Sequence, residues 1–286
     1  RMVIARAGLQ LRDFVLTPLA YSKTILDDGQ QEFGTIILDM GAGHTTATVV
    51  HDHQLKFLST FPAGSDNISR DISAVLEVGL HDADMLKLDS GLALSSMARE
   101  DNKLVIKKIS SENAEQISEV LLAQIIEARL MQILDKLGEK LQLVGAFDLP
   151  GGIVVVGGGA ALRGMIEAIR SVYNVQVKSF SPTDIGLRHP GFSGAWALVH
   201  YAAQQSPIQL IVKEALYGLP LTVVGQPTIA VATPVQKPAT NRRPARPESQ
   251  AVVEPSVNDT DDVNYDDEDK PKKKGAFLNF FKEFFD

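Results

Sequence analysis

The sequence predicts an α/β fold, and three features of the chain carry that prediction. β-Branched residues fill 35–38 and 46–50 on either side of a glycine-containing turn, which predicts a β-hairpin. A later apolar run, Ile153 to Val156, ends in three glycines and precedes a helical pattern, which predicts a buried strand joined tightly to a helix. Between them, residues 113–137 carry apolar side chains on more than one side, so we expect a long helix packed on two faces.

Other elements follow from apolar periodicity and from the positions of glycine and proline. Gly8 closes a first helix, Pro18 opens a second, and Ser65 or Asp66 can cap the helix that follows Gly64. In chain order the pattern predicts the end of a helix at 1–9, a strand at 13–16, a helix at 18–26, a strand at 55–60, a helix carrying Ile68, Ile72, Val75 and Leu76, a short helix at 83–91, a strand at 104–106, a helix at 162–172, a strand at 175–178 and a helix at 193–203. Residues 207–225 fit neither pattern clearly.

Composition excludes several classes of protein. The chain has 286 residues and a net charge of −7, which argues against nucleic acid as a partner because a nucleic-acid-binding face is basic. It contains no cysteine, so disulfide frameworks and cysteine metal sites are excluded. No apolar run approaches the roughly 18 residues of a membrane span. Because a helical pattern begins at Arg1, we expect the chain to be the C-terminal part of a longer protein.

The predicted hairpin turn has the chemistry of a phosphate-binding loop. Glycines at 41 and 43 leave no side chain between the backbone amides and a ligand. Successive N–H groups in such a turn can point at phosphate oxygens, and Asp39 at the strand end can hold Mg²⁺ through water. A glycine-rich hairpin that binds nothing is the alternative, because short glycine patterns are weak evidence.

The hairpin and the glycines at 157–159, about 115 residues later, together resemble two loops of the actin-fold ATPases. The resemblance implies an actin-like (ribonuclease-H-like) fold that binds ATP and Mg²⁺. The implied contacts to the phosphates are Asp39, Gly41, Gly43 and Thr45, with Gly64 at the border of the nucleotide and Lys87, Gly157, Gly158 and Gly159 at the adenosine. Alternatives remain for two of these, since Gly64 also fits a helix cap and Lys87 also fits a solvated ion pair with Asp84.

Two further side-chain patterns could form sites. His44, His51 and His53 invite a metal hypothesis, but no carboxylate is placed to complete a tetrahedral set, so polar turn residues are the better interpretation. On the long helix, Arg129 falls on a different face from Glu127, which allows Arg129 to be an exposed contact for a partner.

The last 60 residues change character twice. Six prolines between 227 and 255 predict a disordered linker, and an acidic stretch up to Asp269 is followed by lysines at 270, 272, 273 and 274. At 100° per residue, one arc of about 160° collects the apolar side chains of the terminal segment: Phe277, Leu278, Phe280, Phe281, Phe284 and Phe285. With Lys272, Lys273 and Lys274 beside it, this pattern is typical of a helix lying in an anionic membrane interface, and docking into a protein groove is the alternative.

An actin-like core followed by a linker and a Phe-rich terminal helix resembles the bacterial cell-division family FtsA. The stretches that carry this resemblance are 7–10, 17–20, 38–46, 84–91, 126–129, 156–162 and the tail. The resemblance implies an ATP-binding, polymerising protein that tethers the FtsZ ring to the membrane. Its implied partners are the FtsZ C-terminal tail through Arg129, further copies of itself, anionic lipids and other division proteins. It would be a peripheral protein on the cytoplasmic face of the membrane at the division septum.

The resemblance also divides the chain into parts. They are the end of a first actin-like subdomain, a second core subdomain, an inserted small subdomain, a mostly disordered linker and a membrane-targeting segment. In that order they cover 1–33, 34–65 with 146–205, 66–145, 206–269 and 270–286.

Three departures from the family pattern affect the expected activity. The first phosphate loop and the interaction subdomain are not in this sequence, and His44 stands where a threonine is often found. Thr17 occupies the position at which active hydrolases carry a water-orienting Glu or Gln, so at most a slow ATPase is expected. An actin-fold kinase or hydrolase with a docking tail is the alternative class.

Overall fold

A five-stranded sheet organises the computed structural model, which describes residues 2–9, 11, 13–111 and 113–217. The contact pattern divides the chain into Arg1–Thr228 and Ile229–Asp286, and all described residues belong to the first unit. Its elements are α1 Met2–Arg6, α2 Thr17–Thr24, α3 Asp28–Phe33, β1 Thr35–Met40, β2 Thr45–His51, β3 Gln54–Phe61, α4 Ser65–Leu76, α5 Leu80–Ser90, β4 Lys103–Lys107, β5 Ala114–Ser118, α6 Glu119–Leu143, β6 Ile153–Val156, α7 Met165–Tyr173, β7 Val177–Ser179, α8 Ser193–Ala203 and α9 Pro207–Tyr217.

The strand order β3-β2-β1-β6-β7 combines two kinds of pairing. β1, β2 and β3 form an antiparallel meander, whereas β6 pairs with β1 and β7 in parallel. In the β1–β6 register Asp39 lies opposite Val156. Because parallel strands end at the same edge of a sheet, the β1–β2 turn and the glycines after β6 lie side by side.

Helices cover both faces of this sheet, and alternate residues along each strand pack on opposite sides. On one face Leu38 and Val155 pack in a cluster with Leu134 of α6 and Ile169 of α7. On the other face Ile37 and Val154 belong to a cluster with Tyr21 of α2 and Ala197 of α8.

The long helix α6 joins two hydrophobic cores. Its C-terminal half packs on the sheet, while Leu122, Ile125 and Ile126 in its N-terminal half pack against α4, α5 and β4. β4 and β5 form a separate two-stranded antiparallel sheet. The prediction of a long helix packed on two faces is therefore confirmed.

Two predictions about secondary structure were wrong, and one helix was missed. Residues 13–16 form no strand within the described part of the chain; they run irregularly into Leu16, which is the N-cap of α2. The long helix starts at Glu119 rather than near 113, because 114–118 instead pair with β4 as a strand and Ser118 Oγ accepts a bond from Leu121 N at 3.2 Å as the helix cap. Helix α3 was not predicted, although Asp27 and Gln30 form a capping box at its start.

The predicted linker, 206–269, begins with helix α9, Pro207–Tyr217. The rest of the linker and the amphipathic terminal segment lie outside the described residues. Within the described residues, no helix combines the length and the apolar character needed to cross a bilayer.

We predict that Leu134→Ala destabilises the fold by about 2–5 kcal/mol, because Leu134 is completely buried between α6 and the sheet and its truncation leaves a cavity. Leu143→Ala at the exposed end of the same helix is the control; Leu143 is 86% exposed, so its loss should stay within about 0.5 kcal/mol. Urea unfolding of both variants measures the difference. Equal effects would show that α6 does not bridge the core as described.

Candidate functional site

The β1–β2 turn presents backbone amides to solvent. Gly41 N donates to His44 O at 3.0 Å and closes the turn, and Ala42, Gly43 and His44 are exposed. No acceptor among the described residues is bonded to the amides of Ala42 and Gly43. A β-carbon at Gly43 would meet no atom within 4 Å. The turn therefore offers two N–H groups to an anion, with no side chain in the way.

Helix α4 is fastened to the back of this turn. Ser65 N donates to Gly41 O at 3.0 Å and Asp66 N donates to Ala42 O at 2.9 Å. A β-carbon at Gly64 would lie 2.4 Å from both of these carbonyl oxygens, so only glycine fits. The N-cap is thus Gly64, and the expectation that Ser65 or Asp66 caps α4 was wrong.

Thr45 is not placed to contact a phosphate through its side chain. It is completely buried, and its hydroxyl donates to Ala63 O at 2.9 Å. The Thr45 side chain holds the start of β2 to the segment that leads into α4, and a contact of Thr45 to phosphate stays a prediction.

The three glycines after β6 have different surroundings. Gly157 is buried at a φ of +86°, and a β-carbon there would lie 2.5 Å from Asp39 Oδ1. At Gly159 a β-carbon would lie 2.9 Å from Met40 Cβ. Gly158 is exposed, and the nearest atom to its β-carbon would be Gly191 Cα at 4.0 Å. Gly157 and Gly159 are therefore required by the fold, whereas Gly158 faces open space.

Asp39 is half-buried between these two loops, and Tyr21 is buried beside it. Burial raises the pKa of the Asp39 carboxyl, while the neighbouring Tyr21 hydroxyl and the charge of His44 oppose that rise. Burial, followed by the charge of Asp39, raises the pKa of Tyr21. The sequence did not predict that Tyr21 lies near Asp39, because a tyrosine inside an apolar helix pattern is typical of a core residue.

The side chains present at this edge suit a phosphate ligand with a hydrated cation. Gly43 and Gly158 both have open space where a side chain would stand, and Asp39 supplies a carboxylate between them. Ser193, at the start of α8 between Gly191 and Gly194, is completely buried, and its Oγ has no partner among the described residues. An open edge with free amides, a carboxylate and an orphaned hydroxyl nearby fits the group that the actin-like resemblance implies.

Lys87 lies in a hydrogen-bond network that is buried at the ammonium group and open to solvent at Asp84. Its Nζ donates to Asp84 Oδ1 and Ser69 Oγ, both at 2.7 Å, and to Ser65 O at 3.1 Å. The bonds from Lys87 and then from Ser69 lower the pKa of the Asp84 carboxyl. The Lys87 side chain is only 8% exposed and that of Asp84 is 45% exposed, so the alternative of a fully solvated pair is wrong. The contact of Lys87 to adenosine stays a prediction.

Arg129 is also engaged within the chain. Its Nη2 donates to Asp71 Oδ1 at 2.8 Å and its Nε donates to Asp71 Oδ2, and it also contacts Gln132. The Arg129 side chain is 17% exposed, so the expectation of a freely exposed arginine was wrong. Its role toward a partner stays a prediction.

The histidines lie on different parts of the hairpin. His44 is in the β1–β2 turn, whereas His53 lies in the β2–β3 turn at the other end of β2. The fold brings Asp28 and Glu32 of α3 beside His53, with one ligand atom from each within 4.8 Å of the others. Sequence reasoning did not foresee these carboxylates, because α3 itself was missed. All three side chains are exposed, and His53 Nε2 lies 3.8 Å from Asp28 Oδ1 as in a surface ion pair.

Comparison with known proteins identifies relatives over most of the chain. The family model described as "Cell division protein FtsA" matches residues 36–197. The FtsA protein of Enterococcus hirae is 35% identical over 98% of this chain and 62% of its own length, and that of Enterococcus faecalis is 39% identical over 76% of this chain and 50% of its own length. The chain thus spans between half and two thirds of the length of these relatives.

A solved structure with the same fold is that of MreB5 of Spiroplasma citri bound to ADP. It superposes with a TM-score of 0.58 at 16% identity, covering 75% of this chain and 65% of that chain. The likeness confirms the predicted actin-like ATPase fold. Because the family model matches more than half of the residues, the chain belongs to the FtsA family of cell-division proteins.

Proposed function

We propose that this protein binds ATP with Mg²⁺ at the edge formed by the β1–β2 turn and Gly158, polymerises, and tethers the FtsZ ring to the membrane. The observation that carries the nucleotide site is the pair of open glycines. Gly43 and Gly158 face empty space on two neighbouring loops, while the glycines around them are packed against backbone. Membership in the FtsA family and the ADP in the MreB5 neighbour support this choice of ligand.

Each group at this edge has a distinct task in the proposal. The free amides of Ala42 and Gly43 bind phosphate oxygens, and Gly41 shapes the turn that presents them. Asp39 holds Mg²⁺ through water, and the bound cation neutralises phosphate charge. Gly158 lets the backbone approach the adenosine closely. Lys87, which belongs to α5, lies beside the adenosine.

Hydrolysis should be slow. Thr17 is the first residue of α2, at the position where the family resemblance puts a water-orienting acid or amide in active hydrolases. The short hydroxyl of Thr17 lacks the general acid–base help of such a residue, which is worth about 10²–10⁴-fold in rate. ATP is thus proposed as a ligand that controls assembly, with turnover as a secondary property.

We predict that Gly158→Val reduces ATP affinity at least tenfold and leaves the fold intact. The added side chain enters space where the described residues place no atom closer than 4.0 Å, so only a ligand meets it. ATP binding is measured by fluorescence titration on a protein of the length of its relatives, and folding by thermal melting.

Gly29→Val is the matched control for that experiment. Gly29 is an exposed glycine in α3, with no atom closer than 3.6 Å to its β-carbon position. This variant should bind ATP like the parent. Unchanged ATP affinity in a folded Gly158→Val protein would contradict the nucleotide site.

Membrane anchoring is proposed for the terminal segment, which lies outside the described residues. The six apolar side chains of its arc enter the interface, and lysines 270, 272, 273 and 274 add about 1 kcal/mol each near an anionic surface. An isolated helix of 11 residues is unstable in water, so it folds on the membrane. One tail binds weakly, whereas a polymer that presents many tails binds strongly.

We predict that Phe281→Asp releases the protein from anionic vesicles, because residue 281 lies in the middle of the apolar arc. Asn279→Asp adds the same charge on the opposite side and should keep the protein bound. Co-sedimentation with vesicles that contain phosphatidylglycerol measures both. Sedimentation of the Phe281→Asp variant at the parent level would favour docking of the tail into a protein groove.

Binding of the FtsZ tail is proposed on the inserted part between about 66 and 145, with Arg129 as a contact. Such binding depends partly on charge and should weaken with salt. Simple charge reversal at Arg129 is a poor test, because it would set a glutamate against Asp71, which is only 6% exposed. The experiment therefore needs to preserve the Asp71–Arg129 pair.

We predict that the exchange variant Asp71→Arg with Arg129→Asp keeps the fold and weakens binding of an FtsZ C-terminal peptide by about fivefold, the scale of one exposed ion pair. The swap retains an ion pair between α4 and α6 while moving the positive charge. Fluorescence anisotropy of the peptide at two salt concentrations measures the effect. Equal affinity in a folded exchange variant would remove Arg129 from the partner site.

A further inference from the structure

The first turn of α4 holds two peptide units of the β1–β2 turn from behind. Ser65 N donates to Gly41 O at 3.0 Å, and Asp66 N donates to Ala42 O at 2.9 Å. Gly41 O shares its peptide unit with the N–H of Ala42, and Ala42 O shares the next unit with the N–H of Gly43. These are the two N–H groups that the turn offers to an anion.

The geometry of the peptide bond connects the two sides of the turn. A peptide unit is planar, and in the trans form its C=O and N–H groups point in opposite directions. The described residues contain no cis peptide bond. Because the carbonyls of both units are bonded toward α4, their N–H groups are aimed away from α4. The start of α4 therefore determines where the two amides point.

Lys87 on α5 fixes this start of α4 through a buried ammonium group. Its Nζ donates to two acceptors of α4, Ser65 O at 3.1 Å and Ser69 Oγ at 2.7 Å, and to Asp84 Oδ1 at 2.7 Å on its own helix. Ser69 Oγ in turn donates to Asp84 Oδ1 at 2.8 Å. An ammonium group has three N–H donors, so the network uses all of them. A contact of Lys87 to a ligand would cost one of these bonds.

We infer that Lys87 is a positioning residue of the nucleotide site, which holds the first turn of α4 so that the β1–β2 turn aims its two amides at phosphate. The inference rests on the proposed function of this edge. Groups that are ordered before a ligand arrives increase its affinity, because binding does not have to supply the cost of ordering them. Lys87 acts on the ligand only through α4 and the turn.

Two competing roles for Lys87 differ from this one in what they predict. If the ammonium bound adenosine directly, only changes at Lys87 itself would weaken ATP binding. If its role were purely structural, the melting temperature would change and ATP affinity would not. A positioning role extends to Ser69, which is 3% exposed and takes part in two of the three bonds of the network that join α5 to α4.

The test compares Lys87→Met and Ser69→Ala with the parent, on a protein of the length of its relatives. Each variant removes two of the three bonds between α5 and α4. Calorimetric titration in MgCl₂ measures the affinities for ATP and for adenosine, with thermal melting alongside. ATP affinity should fall about tenfold in both variants, the scale of one hydrogen bond to a charged group. Adenosine carries no phosphate, so its affinity should be unchanged.

Lys108→Met and Ser73→Ala are the matched controls, because both remove polar contacts at the other end of α4. Lys108 Nζ lies 3.1 Å from Glu115 Oε2 and 3.7 Å from Glu77 Oε2. Ser73 Oγ donates to Val78 O at 2.7 Å. Neither contact reaches the β1–β2 turn, so both variants should bind ATP and adenosine like the parent.

The outcomes separate this inference from the proposed function. If the parent binds no ATP in MgCl₂, the proposed function fails. If the parent binds ATP and both Lys87→Met and Ser69→Ala keep its affinity, the positioning role is wrong. A loss in Lys87→Met with parent affinity in Ser69→Ala would also overturn it, because that pattern reports a direct contact of Lys87 to the nucleotide. Equal losses for ATP and adenosine would do the same. If Lys87→Met does not fold, Ser69→Ala decides the question.

Discussion

The parallel pairing of β1 with β6 brings together two loops that lie more than 100 residues apart in the sequence. Asp39, one residue before the end of β1, lies opposite Val156, the last residue of β6, and the two loops leave the sheet at one edge. Everything proposed for the nucleotide depends on that register. A shift by one residue would turn Asp39 to the other face of the sheet and would separate it from both Tyr21 and Gly157.

A second set of contacts runs from the same edge into the inserted part of the chain. The carbonyls of the β1–β2 turn accept the first amides of α4, and Lys87 ties α5 to the carbonyl of Ser65 in that first turn. One helical turn further on, Asp71 binds Arg129 of α6. Displacement of the turn by a ligand would therefore be transmitted to α4, and through α4 to both helices that pack on it.

Local patterns in the sequence were sufficient to predict much of this fold. The hairpin, strand β6 and helix α8 were predicted because each has a strong period and clear boundaries. Strand β5 was assigned to the following helix, since its exposed polar residues gain strand character only by pairing with β4. The predicted strand at 13–16 failed for the opposite reason. Its composition suits a strand, but no described residue pairs with it.

The predicted site residues divide according to how far their contacts reach. Asp39, Gly43 and Gly158 could be identified from short motifs, because a turn and a strand end largely determine their exposure. The environments of Lys87 and Tyr21 depend on partners 18 or more positions away, at Ser69 and Asp39, and no local pattern contains that information.

The glycines of the site show the same division between local and distant causes. The motif treats Gly64, Gly157 and Gly159 like Gly43 and Gly158, yet the first three are glycines because neighbouring atoms leave no room. Only at Gly43 and Gly158 do the neighbouring atoms leave room for a side chain, so the fold itself does not account for glycine at these two positions.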